Sequence, residues 1–91
     1  MLWRPRGHTT WHEATSINTS RSGVYFSSRH FADIGTDVQL LLPMGHEHAA
    51  SVDVADLLCT GRIVRISPLS PNESLVAIAA TIDSYVFLRE H

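Results

Sequence analysis

Lysine is absent from this 91-residue chain, cysteine occurs once, and no apolar run is long enough to span a bilayer. Each absence excludes something. A lone Cys59 cannot form an intrachain disulfide, which fits a reducing compartment, and between Leu58 and Thr60 it reads as a small buried hydrophobe. A spanning helix needs about 18 or more consecutive apolar residues. The N-terminal Met1-Leu2-Trp3-Arg4-Pro5-Arg6 is too polar for a signal peptide, so the expected compartment is the cytoplasm, with no membrane partner. The formal charge of -2 argues against a nonspecific binder of nucleic-acid polymers, which needs a basic excess. All seven basic residues are Arg, whose planar fork pairs with phosphate and stacks on flat rings. A codon bias toward Arg gives the same usage with no function attached.

What is present is ordinary for one globular domain: 44% apolar and 18% charged residues. The pattern reads as β throughout. Trp11 to Ile17 alternates moderately, and Val24-Tyr25-Phe26 is β-branched and aromatic. Val38, Leu40 and Leu42 share one face until Pro43 ends pairing, and Gly35 is a turn glycine with φ > 0. Leu57–Ile66 is a long strand, with Gly61 marking a bulge or a barrel bend. In 75–82, Val76, Ile78, Ala80 and Ile82 form an inward face. Ala77, Ala79 and Thr81 form a face of small residues with room for something over it. Residues 83–90 alternate as a strand and also fit a helical face; strand continuation after a bend at Asp83-Ser84 is the preferred reading. Strands are therefore expected near 11–18, 23–28, 37–42, 57–66 and 75–82. They make a small antiparallel all-β barrel in 11–91, with 1–10 as an N-terminal arm.

Between the first two strands lies Asn18-Thr19-Ser20-Arg21-Ser22-Gly23. Asn and Ser are turn formers with outward-facing acceptors and donors, and Gly23 is expected at φ > 0. This Asn-x-Ser-x-x-Gly hexamer before an apolar strand, followed by this order of strands, resembles the second signature of the PilZ domain family. The resemblance runs from about Trp11 to Glu90. It implies a small β-barrel signalling module of bacterial type that binds cyclic di-GMP. Asn18 and Ser20 would meet the guanine edge, and Gly23 would let backbone come close.

The family's other signature, an upstream Arg-x-x-x-Arg that grips phosphate and the guanine face, has no counterpart among the seventeen residues ahead of Asn18. The first strand therefore reads as incomplete and the site as degenerate. Arg4 and Arg6 on a stiff arm, hinged at Gly7, are the candidate replacements, with Arg21 inside the hexamer as a third cation. The alternative is a PilZ-like domain that binds no cyclic di-GMP. It would pair with a partner protein, or a second copy, through strand edges left by the missing first strand.

Other chemistry is thin. His46 and His48 flank Glu47, but a zinc site needs three or four converging ligands. His8, His12, His30 and His91 read as scattered surface residues. Neither Gly-x-Ser-x-Gly, a phosphate-binding glycine loop nor His-Glu-x-x-His occurs, so no enzyme activity and no metal or cofactor is expected. Arg62 and Arg65, three apart on one strand, read as facing opposite sides. Solvent-facing ends are the bland reading, and a reach from the barrel wall to a ligand is the functional one.

Overall fold

In the computed structural model, which describes residues 1–43, 55–69 and 74–89, every regular element is a strand. They are β1 (Leu2–Pro5), β2 (His12–Thr19), β3 (Gly23–Ser28), β4 (Asp37–Pro43), β5 (Ala55–Pro68), β6 (Val76–Thr81) and β7 (Ser84–Arg89). Their order is β4-β1-β2-β3-β6-β5, and β4 also pairs with β5, so six antiparallel strands close on themselves. β7 follows β6 along the same side of β5 and lies outside the ring. No helix of the described residues is long and apolar enough to cross a membrane. The expected His46–His48 run lies outside the described residues.

The core follows from strand parity. Val24 and Phe26 of β3, Val38, Leu40 and Leu42 of β4, Cys59 and Ile63 of β5, and Ile78 and Ala80 of β6 all point inward and are buried. Full burial of each large aliphatic or Phe side chain stabilises by about 1.5–3 kcal/mol. The largest member is Trp3, which is wholly buried. Its indole Nε1 donates to the Ser28 hydroxyl at 3.0 Å. That hydroxyl also receives the His30 amide and donates to the Glu13 carbonyl. The only buried polar side chain among the described residues is thus fully satisfied, as low-dielectric burial demands.

This placement corrects the reading of residues 1–10 as an arm. Leu2–Pro5 pairs with β2 on one side and with β4 on the other, so the first strand is short but present. Gly7 is a turn residue, not a hinge: the His8 amide donates to the Pro5 carbonyl at 3.0 Å, and Gly7 takes φ +89°. A type II turn asks for that geometry at its third position. Gly35, at φ +95°, does the same for the turn before β4, as expected.

Gly23 departs from expectation. Its φ is not positive; a Cβ there would come within 3.0 Å of the Ala80 carbonyl oxygen on β6. Close approach of a neighbouring strand, not turn conformation, is what requires glycine. Gly61 is the stronger case, because a Cβ there would overlap the Thr81 carbonyl. It sits where β5 leaves β7 and turns along β6, so the bend expected at Gly61 is a barrel corner.

Candidate functional site

Two extra residues set the site's geometry. Between Ser16, opposite Phe26, and Asn18, opposite Tyr25, the register of β2 slips by one and leaves Ile17 half exposed. Between Ile63, opposite Ala80, and Arg65, opposite Ala79, the register of β5 slips at Val64, also half exposed. A bulge resets the alternation of faces downstream of it. Asn18 is thereby turned to the outer face beside Tyr25. Arg65 is turned to the outer face beside Ala79, instead of following plain alternation from Ile63. Arg62 and Arg65 consequently share the outer side, which corrects the reading that they face apart.

The pairings then line up. Asn18 of β2 is opposite Tyr25 of β3, Tyr25 is opposite Ala79 of β6, and Ala79 is opposite Arg65 of β5. These four residues form one transverse row across four strands, roughly 14 Å long by interstrand spacing. They border an open depression of about 460 Å³, completed at its turn end by Ser20, Ser22 and Gly23. Tyr25 and Ala79 hold the middle of the row and Asn18 and Arg65 its ends, with the short Ala79 leaving space beside Tyr25. Of the face of small residues expected on 75–82, Ala79 and Thr81 line this depression, whereas Ala77 is buried. Arg65 is the one charged residue among those that line the depression.

Local bonds hold the turn. The Ser20 amide donates to the Gly23 carbonyl at 2.9 Å, and the Ser20 hydroxyl donates to the same oxygen at 3.3 Å. The Ile82 amide donates to the Ser22 carbonyl at 2.9 Å, tying the turn to the end of β6. The Ser20 hydroxyl keeps its lone pairs for an incoming donor, and the Asn18 amide offers both a donor and an acceptor.

The remaining expected site residues lie elsewhere. Arg4 sits on β1, where its Nε donates to Gln39 Oε1 at 2.9 Å and its guanidinium stacks 4.1 Å above the Trp11 ring. Arg6 is exposed just past β1, its amide bonded to the Asp37 carbonyl. Leu2–Pro5 meets β2 at His12 and Glu13, about 17–20 Å of strand from Asn18. The arm-over-turn arrangement of Arg4 and Arg6 is therefore overturned: they are held at the far end by a strand rooted in the core. Arg21 is exposed at the turn tip, outside the depression. Arg62 is engaged with Asp37 across β4, Nε to Oδ1 at 3.2 Å.

Arg65, whose preferred sequence reading is a solvent-facing strand end, is instead brought to the edge of this depression. Its signal was present in the outward run of small residues on the neighbouring strand, but the bulge that aims it leaves no mark in the sequence.

At the far end a second depression, of about 600 Å³, is lined by Trp3, His8, His12, Arg29 and His30. His12 and His30 are not scattered: their rings stack with centroids 4.2 Å apart. Burial, and then the neighbouring His30 and His8, push the His12 pKa below its usual range. No group of three or more metal-ligating side chains occurs among the described residues. Burial pushes the Cys59 thiol up, which leaves it a poor nucleophile.

No family model, no curated protein and no solved structure matches this chain.

Proposed function

We propose that this barrel is a signalling module that takes cyclic di-GMP on its outer face, at the Asn18–Tyr25–Ala79–Arg65 row. One observation carries the reading: the hexamer's Asn18, Ser20 and Gly23 share a single depression with an arginine from the opposite wall. A cyclic dinucleotide asks for purine-edge partners and for a cation against phosphate. Asn18 offers an amide of the right polarity for a guanine edge, and Ser20 an acceptor. Arg65 offers a fork for a phosphate, where charge-assisted bonds are the stronger kind. Ala79 and Gly23 keep the floor low enough for a flat ring to lie against Tyr25.

One arginine replaces a pair in this site. Each missing charge-assisted bond forfeits roughly 1.5–3 kcal/mol, or one to two decades of affinity. Binding is accordingly weak. With residues 2–5 built into the ring, a signal does not pass through a swinging N-terminal arm; the site's own elements, the 20–22 turn and the bulge at Val64, are what a ligand can move.

Calorimetric titration tests this. Cyclic di-GMP should bind, and Asn18→Ala and Arg65→Ala should each weaken it at least tenfold with melting temperature unchanged. Arg6→Ala should leave it intact. An absence of heat at millimolar ligand, or binding indifferent to both Asn18 and Arg65, would reject the reading.

A further inference from the structure

β7 carries Tyr85, Val86, Phe87 and Leu88 in succession, 54, 55, 60 and 41% exposed. Among the described residues it pairs with β5 alone, so its second edge offers a row of backbone donors and acceptors. Tyr85 and Phe87 lie opposite Cys59 and Leu57, while Val86 and Leu88 lie opposite Leu58 and Asp56, so both faces of the strand are apolar. Natural edge strands are blunted by lysine, proline or an inward charge, and the span Ser84–Leu88 contains none of these. A strand apolar on both faces suits the interior of a sheet.

From this we infer that β7 pairs antiparallel with β7 of a second copy of the chain, on a two-fold axis through Val86. That register places Val86 against itself and Tyr85 opposite Phe87 twice. Tyr85 and Phe87 already meet edge-on within one strand, centroids 6.0 Å apart, so the pairing assembles four aromatics on one face. It also puts Ser84 at the register position of Leu88 of the second copy, at both ends of the pairing. A parallel copy would set like against like. The six-strand ring then extends across the axis as one continuous sheet.

The area fits a reversible dimer. Four half-exposed large side chains offer roughly 400 Å² per copy, of which edge pairing covers the flanks that face the partner strand together with the backbone edge, so well under roughly 800 Å² leaves water in the pair. That lies below the range of stable interfaces, so the dimer is weak, a concentration-dependent equilibrium carried by backbone pairing and the aromatic face. The motif row lies on the β2–β3–β6–β5 wall, so the inference stands apart from the ligand reading.

Sedimentation equilibrium of the full chain from micromolar to millimolar concentration tests it. A monomer–dimer equilibrium is expected. Phe87→Lys should raise the dissociation constant at least tenfold. Phe31→Lys, at an apolar residue equally exposed elsewhere, should leave it unchanged. The register has its own readout: under mild oxidation Val86→Cys should cross-link to itself, because residues directly opposite are within disulfide reach, whereas Leu88→Cys should not. Buried Cys59 stays out of that chemistry. A chain monomeric throughout, a dimer indifferent to Phe87→Lys, or cross-linking at Leu88→Cys in place of Val86→Cys would overturn the inference.

Discussion

A methyl group added at residue 61 has nowhere to go, since it would overlap the backbone carbonyl of Thr81, which cannot move without breaking the corner of β5. Gly61→Ala should therefore cost about 3 kcal/mol or more. Gly23→Ala meets the Ala80 carbonyl at 3.0 Å, where a few tenths of an ångström relieve the contact, and about 1 kcal/mol is expected. Chemical denaturation of the two variants checks the ranking; equal stabilities would show that the corner at Gly61 is looser than described. The need for glycine at 23 was legible from the hexamer, but its cause was not. The cause is a strand more than fifty residues later in the chain, and no local pattern carries that.

His12 gives a pH dependence at the same scale. Its folded-state pKa is depressed by burial first, then by His30 and His8. Between that value and the unfolded value of about 6.5, the unfolded chain binds more protons, so stability rises with pH. The expected result is full stability above about pH 6.5, falling as pH drops through the depressed folded value. His30→Gln removes one of the causes and should flatten that fall. Melting temperatures measured across this window decide it, and an unchanged slope in His30→Gln would show that the stacked pair is not coupled.

At the scale of elements, β1 is the strand the chain hid. Four residues with Pro5 at the end give too few alternations to register as a period. Arg4 and Arg6 give this stretch a polar look that masks the apolar Leu2-Trp3 pair. The longer strands were legible because Val38-Leu40-Leu42 and Ile78-Ala80 keep parity long enough to declare a face. The bulges at Ile17 and Val64 were not legible: a one-residue slip is fixed by the partner strand's register, and it decided where Asn18 and Arg65 point. Since Trp3 fills the core, Trp3→Ala should destabilise by about 3–5 kcal/mol. Deleting residues 1–7 should unfold the barrel outright by opening the β4–β1–β2 side. A truncated chain that still melts cooperatively near the parent temperature would mean that β1 is dispensable and that the ring closes without it.

For the whole molecule, closure is what turns a string of amphipathic strands into a platform. Six strands consume one another's edges and the large side chains fill the interior, so the open depressions lie on the outer wall and at the turns. The proposed ligand site joins the motif turn and Arg65 on that wall. Amide chemical-shift mapping by NMR during titration with cyclic di-GMP tests it most directly. Perturbations confined to residues 18–25, 63–66 and 79–82 are expected, with the amides around Trp3, Arg4 and His12 unmoved. Shifts centred on the Trp3–His12–His30 end, or none at millimolar ligand, would contradict it.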